Sequence, residues 1–237
     1  MSQLNIQLLV TGCKGRMGQA VLQAAESQGV SVASQIDVGD DLAGALKKSN
    51  TVIDFTTHHF SDELVAACVE NGTRMVIGTT GHTAEEIGRI REASAKLPIV
   101  FAPNFSVGVN TLFWLTRKAA EILGESFDLE VIEMHHRMKQ DSPSGTARRL
   151  AEILTEDRGL SYDSDVRHGR FGDVGARTGR EVGMHALRGG DVVGDHTVVY
   201  AAMGERVELT HKASSRDTFA NGAVRAAVWL ADKPAGL

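Results

Sequence analysis

The feature that most limits what this chain can fold into lies in residues 5–37. The aliphatic run Asn5-Ile6-Gln7-Leu8-Leu9-Val10-Thr11 reads as a buried parallel strand. Gly12-Cys13-Lys14-Gly15-Arg16-Met17-Gly18 follows at once. Residues 19–28 have helical composition, with Ala20, Val21, Ala24 and Ala25 as apolar positions, and Gly29 stands where that helix would stop. A second strand over residues 30–36 runs into Asp37. Strand, glycine loop, helix, strand and acid in this order form the dinucleotide-binding arrangement. Gly12 permits the tight turn, Gly15 lets backbone N–H groups approach a pyrophosphate, and Gly18 lets the helix pack on the strand. The helix then points its positive dipole end at the phosphates. Asp37 is placed to accept hydrogen bonds from the adenosine ribose. The spacing departs from the usual pattern, because Lys14 occupies the position of the second glycine. Taken alone, this loop also fits a glycine-rich turn in some other α/β protein.

The sequence that follows narrows the choice. Strands are expected at residues 51–55, 74–77 and 98–101, with helices at residues 60–70 and from Thr83 to about Lys96. Thr83 and Glu86 have the spacing of a capping box. Repeated βα units imply a parallel sheet with helices on both faces and ligands at the carboxyl ends of the strands. Those ends carry small or polar residues: the glycine loop, Asp37, Thr56-Thr57, Gly78-Thr79-Thr80 and Ala102-Pro103-Asn104-Phe105. His58 and His59 are adjacent and read as loop or helix-start residues, with no third ligand at a spacing that suggests a metal.

After a helix over Val107–Leu123 the pattern changes. Residues 127–133 alternate as half-buried strands do, residues 147–156 look helical, and alternating segments follow at 181–187, 192–201 and 206–211. A last helix runs to Leu230. The fold class is therefore α/β: a Rossmann-type parallel sheet over residues 1–104, completed by a C-terminal helix at 215–237. A second α+β domain over residues 105–214 carries a mixed, largely antiparallel sheet. That sheet has too few helices to cover both faces, so another subunit is expected against it.

Composition excludes several classes. A net charge of -5 gives no basic footprint for nucleic acid. No apolar run reaches the roughly 18 residues of a membrane span. Residues 1–5 lack the features of a signal peptide, and Cys13 and Cys68 read as reduced thiols, so a cytoplasmic location is expected.

The chemistry is expected in Glu133-Met134-His135-His136-Arg137-Met138-Lys139-Gln140-Asp141-Ser142-Pro143-Ser144-Gly145-Thr146-Ala147. The stretch leaves a strand, crosses a polar loop and enters a helix. His135 and Lys139 are candidate proton donors, and His136 is a further hydrogen-bonding imidazole. Ser144 is a good N-cap, and Gly145 and Thr146 would expose first-turn N–H groups suited to a carboxylate. The implied substrate is small and anionic, with more than one carboxylate. An exposed polar loop beside a capped helix is the structural alternative. A metal lacks a third soft ligand here, and nothing else suggests Schiff-base chemistry at Lys139.

With these motifs, the chain resembles the dihydrodipicolinate (4-hydroxy-tetrahydrodipicolinate) reductase family of bacterial lysine and diaminopimelate biosynthesis. The resemblance covers essentially the whole chain. It rests on residues 12–18, Val76-Ile77-Gly78-Thr79-Thr80-Gly81, residues 101–110, the central stretch with its Pro-Ser-Gly-Thr-Ala ending, and Thr210-His211-Lys212-Ala213-Ser214-Ser215-Arg216. It implies NAD(P)H-dependent reduction of a cyclic dicarboxylate, and the residue spacing above leaves no metal expected. It implies His135 as the acid–base histidine, Lys139 as the proton-donating lysine, and His136, Gly145 and Thr146 at the substrate, beside Ser144, which the helix-start reading already places in the carboxylate cradle. It places Gly12, Cys13, Lys14, Gly15, Arg16, Met17, Asp37, Gly78, Thr79, Thr80, Ala102, Pro103, Asn104 and Phe105 at the cofactor, and it implies a homotetramer. Val38 stands where some relatives carry an arginine suited to a 2′-phosphate, so NADH is expected to be preferred, with NADPH usable through Lys14 and Arg16. Whether His135 or Lys139 delivers the proton stays open. The alternatives are another two-domain NAD(P)-dependent dehydrogenase and a non-catalytic NAD-binding sensor.

Overall fold

The computed structural model describes residues 6–215 and 217–237. Asn5 of the expected first strand, the N-terminal residues before it and Arg216 of the last motif lie outside the described residues. The chain divides into two compact units, residues 1–106 with 216–237, and residues 107–215.

The first unit is a five-stranded parallel sheet in the order β2-β1-β3-β4-β5. Its strands are β1 (Gln7–Thr11), β2 (Ser31–Ile36), β3 (Thr51–Asp54), β4 (Arg74–Ile77) and β5 (Ile99–Phe101). Its helices are α1 (Arg16–Ser27), α2 (Leu42–Leu46), α3 (His58–Asn71), α4 (Ala84–Ser94) and α8 (Asp217–Leu230). Successive side chains of a strand face opposite ways, so both faces must be covered. Leu8, Val10, Ile53 and Val76 pack with Val21 and Ala25 of α1 and with Ala220, Ala223, Val224 and Ala227 of α8. Their neighbours Leu9, Val52, Met75 and Ile77 pack with Leu46, Leu64, Cys68 and Ile90 of α2, α3 and α4. The capping box at Thr83 forms in full, with the Thr83 side chain accepting from Glu86 N–H and the Glu86 carboxylate accepting from Thr83 N–H.

The largest differences from the sequence reading in this unit are one helix start and one added helix. α1 starts at Arg16 rather than Gln19, because Gly15 is its N-cap and the helix begins inside the glycine loop. α2 was not foreseen. It spans five residues, too few to show a 3.6-residue period, and Asp41 caps it by accepting from Gly44 N–H.

The second unit holds the order β10-β9-β6-β8-β7. Its strands are β6 (Asp128–His135), β7 (Val166–His168), β8 (Val182–Arg188), β9 (Gly194–Ala202) and β10 (Glu205–Ala213). Its helices are α5 (Val107–Leu123), α6 (Gly145–Arg158) and the one-turn α7 (Tyr162–Asp165), with a short 3₁₀ turn at Gly124–Ser126. The sheet is mixed, with β6–β9 and β9–β10 antiparallel and β6–β8 and β7–β8 parallel. Two of the four strand pairings are antiparallel and these hold most of the paired residues, while α6 and α7 carry the chain back for a parallel return. β7 and α7 occupy a segment without a readable pattern, since three- and four-residue elements are too short to repeat the strand or helix period. One sheet face packs Leu129, Val131, Val182, Met184, Val198 and Tyr200 against Leu112 and Ala120 of α5 and Leu150, Ala151 and Leu154 of α6. Tyr200 is fully buried and its hydroxyl donates to the Thr116 carbonyl at 2.6 Å, which fixes α5 to the sheet.

Gly222 on α8 sets how closely that helix approaches the sheet unit. A Cβ there would lie 1.8 Å from the Phe105 carbonyl oxygen, a backbone atom that cannot rotate away. We expect Gly222→Ala to destabilise the protein by about 1–3 kcal/mol through overpacking, read as a lowered urea midpoint.

Candidate active site

At the carboxyl edge of the first sheet, the backbone enters the glycine loop with Gly12 at φ 61°, a left-handed conformation that other residues rarely take. Gly15 N–H donates back to the Gly12 carbonyl at 2.9 Å. A Cβ on Gly18 would lie 2.1 Å from the same oxygen, so α1 can sit this close only with glycine there. No side chain caps α1 and its first turn holds no acid, an arrangement suited to receiving an anion. Lys14, Gly15 and Arg16 are exposed, Met17 is half-buried against the core and Cys13 is buried. The Asp37 carboxylate accepts from Lys14 N–H at 2.8 Å and from Val38 N–H at 2.9 Å. Those backbone bonds hold its carboxyl below the usual range. Gly12, Asp37, Val38, Thr56, Thr57 and Phe60 line a cleft of about 340 Å³.

Beneath this rim lies Asp54, which has no exposed surface. Its carboxylate accepts from the hydroxyls of Thr11 (2.7 Å), Thr56 (2.6 Å) and Thr79 (2.8 Å). The Thr79 oxygen in turn accepts from Thr56 N–H at 2.9 Å. One buried acid thus ties together the ends of β1, β3 and β4. The Thr79 side chain points at Asp54, while Thr80 is exposed. Gly78 lies under the Phe55 ring, where a Cβ would come within 2.1 Å of it. Phe105 is buried, edge-on to Phe55, so its ring belongs to the core. Ala102 N–H donates to Ile77, Pro103 is exposed, and Asn104 accepts from Ser106 N–H at 2.8 Å.

His58 begins α3, as the sequence suggested. No sequence spacing marked a third ligand for His58 and His59, but the fold brings Glu86 to them from α4, with ligand atoms within 4.8 Å of one another. That carboxylate already accepts from Thr83 N–H and lies 3.0 Å from His58 Nδ1. The Thr83 N–H and His58 together hold it at about 2.

In the second unit, alternation along β6 puts Leu129, Val131, Glu133 and His135 on the helix-covered face. The first two are core, and the last two stand at the strand's carboxyl end. Glu133 is completely buried. Its Oε2 lies 2.6 Å from His135 Nδ1 and accepts from Arg188 at 2.8 Å. Its Oε1 accepts from Arg188 at 2.9 Å and from Ser144 N–H at 3.1 Å. Burial pushes the Glu133 carboxyl up, but the bonds from His135, Arg188 and Ser144 outweigh it and hold it down to about 2. β6 ends at His135, so His136 leaves the sheet into the loop, and its carbonyl accepts from Lys139 N–H. Lys139 Nζ pairs with Asp141 at 2.9 Å, and the Ser142–Pro143 peptide is cis. Ser144 caps α6 by accepting from Ala147 N–H at 3.2 Å, and Gly145 and Thr146 form the first turn, free of acidic residues. The structure therefore brings His135, Lys139 and the Ser144-Gly145-Thr146 helix start together around one loop.

Three neighbours have no role assigned in the sequence reading: Glu133, Arg188 and His196. Glu133 carried a signal, since period-2 spacing put it on the face of His135. His196 and Arg188 carried none. They reach the site only because β9 pairs His196 with Glu133 and β8 pairs Arg188 with His135. Ser144 Oγ lies 3.1 Å from His196 Nε2. Burial and the nearby His135 press the His196 imidazole down to about 3, so it is neutral at working pH.

Residues 6–105 match the family described as "Dihydrodipicolinate reductase, N-terminus", and residues 108–237 match "Dihydrodipicolinate reductase, C-terminus". The chain belongs to the dihydrodipicolinate reductase family. It is 58% identical over 233 residues to the 4-hydroxy-tetrahydrodipicolinate reductase of Akkermansia muciniphila, covering 98% of this chain and 95% of that one. With the reductase of Chromobacterium violaceum it shares 46% identity over 97% of this chain and 95% of the other. Among solved structures, the dipicolinate-bound dihydrodipicolinate reductase of Paenisporosarcina sp. TG-14 superposes with a TM-score of 0.77 at 25% identity, covering 98% and 96% of the two chains. A probable dehydrogenase of Thermotoga maritima shares the fold alone, at a TM-score of 0.62 and 11% identity. Among the described residues, no helix is long and apolar enough to cross a membrane.

On the sheet face opposite the helices, Arg170 and Arg177 bind Glu130, which also lies 2.8 Å from His185 Nε2. Burial raises the Glu130 carboxyl, but Arg170, His185 and Arg177 together hold it at about 2. Because the folded values of Glu130 and Glu133 lie below the ordinary 4.5, their stabilisation is whole above pH 4.5 and fades as pH falls toward 2. Urea midpoints should therefore fall between pH 4.5 and about 3, and fall less in Glu130→Gln.

Proposed function

We propose that this chain catalyses the NAD(P)H-dependent reduction of 4-hydroxy-tetrahydrodipicolinate, by way of dihydrodipicolinate, to tetrahydrodipicolinate. The observation that carries the reading is the meeting, at the end of β6, of a carboxylate-held imidazole with a capped, acid-free helix start (His135 Nδ1 to Glu133 Oε2, 2.6 Å). Family membership over nearly the whole chain supports it.

The residues divide the work as follows. The first-turn N–H groups at Gly145 and Thr146, beside Ser144, receive one carboxylate of a small dicarboxylate. His136 and Lys139 give polar support, with Lys139 held beside Asp141. His135 or Lys139 delivers the proton that quenches charge developing on the ring. The glycine loop and the uncapped start of α1 fit a pyrophosphate, and the cleft at Asp37 fits an adenosine ribose. A bound nicotinamide cofactor supplies hydride. Asp37, held ionised by Lys14 N–H and Val38 N–H, repels a 2′-phosphate, and Val38 offers it no cation. NADH is therefore the preferred donor and NADPH a usable one. A homotetramer built on the second sheet and a cytoplasmic location belong to the same reading.

The test couples purified protein to a fresh dihydrodipicolinate synthase reaction and follows NADH absorbance. Oxidation of NADH that depends on the synthase is expected, and binding of NADH without turnover would point to a sensor instead. His135→Gln should lower kcat at least about tenfold and leave NADH affinity unchanged. An unaltered kcat would remove His135 from the mechanism. Asp37→Ala should reduce the NADH-over-NADPH ratio of kcat/KM by about tenfold, the size of one lost hydrogen bond to a charged group. A variant that keeps the wild-type ratio would show that Asp37 does not read the ribose.

A further inference from the structure

Glu133 touches no solvent, yet it meets donors from three separate segments. His135 lies on its own strand, Arg188 comes from β8, and Ser144 comes from the loop entering α6. Arg188 makes a fork, one nitrogen to each carboxylate oxygen, at 2.8 and 2.9 Å. The same guanidinium donates to the Asp141 carbonyl at 2.7 Å, and Asp141 pairs with Lys139. An ionised carboxylate accepts only, with about four lone-pair sites. Four donors fill them here. Two consequences follow. His135 must donate through Nδ1, which leaves Nε2 as the nitrogen for exchange. The Ser144 N–H is fixed, and with it the start of α6.

We propose that Glu133, with Arg188 as its fork partner, is the positioning residue of this site, holding the His135 imidazole in one tautomer and the Ser144-Gly145-Thr146 helix start in one place. This rests on the function proposed above and adds to it two residues that do not touch substrate. Glutamine cannot replace Glu133. Its amide nitrogen would meet a donor on whichever side it is placed, either His135 and Arg188 or Ser144 and Arg188.

The test is a double-mutant cycle with a spectroscopic arm. Glu133→Gln alone is expected to lower kcat about 10²-fold, in the range of lost general-acid catalysis, with NADH affinity within twofold of wild type. In the His135→Gln background the same change should lower kcat less than about threefold, because the group it positions is gone, while KM still rises through the loosened helix start. Equal losses of kcat in both backgrounds would overturn the proposal, and so would wild-type kcat and KM in Glu133→Gln. If Glu133→Gln fails to fold, Arg188→Lys decides. It keeps the charge but not the fork, and should raise KM severalfold with kcat within threefold. An unchanged KM would count against the proposal. Nitrogen-15 imidazole spectra, with His135 assigned by its loss in His135→Gln, should show Nδ1–H in the wild type and lose that pattern in Glu133→Gln. An inactive wild-type protein would sink the proposed function alone. The imidazole spectra would then decide the positioning role, and an identical His135 pattern in both proteins would overturn it.

Discussion

A carboxylate without access to water must be met by donors on all sides, and the second unit is arranged around meeting that demand at Glu133. The acid sits where β6 passes from apolar core to polar loop. Satisfying it draws β8 in through Arg188 and fixes the chain's entry into α6 through Ser144. Burying an ion costs far more than one hydrogen bond returns, so an arrangement of this kind is stable only when every partner is present. The candidate proton donor and the candidate anion cradle are for that reason not independent features. They share one buried charge.

The first unit repeats the device with different partners. Asp54 is also fully buried, but its partners are the hydroxyls of Thr11, Thr56 and Thr79 and not a cation. Hydroxyls are neutral donors on short side chains. They draw three strand ends together without placing positive charge under the rim, and leave the field there to the start of α1, Lys14 and Arg16. In the second unit the buried acid is met instead by a guanidinium, so that the charge of Glu133 is balanced where it lies by Arg188.

Much of this was legible in the sequence where one element speaks for itself. The βα alternation, the tasks of Gly12 and Gly18, the capping box at Thr83 and the Ser144 cap all depend on neighbours a few residues away. Elements shorter than a helical turn or two left no period to read, as α2, α7 and β7 show. Contacts made by strand register were silent for a different reason. His196 meets Ser144 across 52 residues, Arg188 meets Glu133 across 55, and Glu86 reaches His58 from the next helix. The family resemblance placed Phe105 and Thr79 at the cofactor; their side chains turn inward, toward the core and Asp54, so a contact there falls to their backbone. A strand end specifies where the backbone lies and not which way each side chain points.

The closing of the first unit by α8 has a consequence for the order in which the protein is made. The face formed by Leu8, Val10, Ile53 and Val76 takes part of its cover from Ala220, Ala223, Val224 and Ala227. On a ribosome those residues emerge only after the whole of the second unit. The middle of the chain can complete its own core while the earlier sheet still waits, partly bare, for its final helix. The unit begun first is finished last, and its uncovered face is the surface a nascent chain most needs to shield.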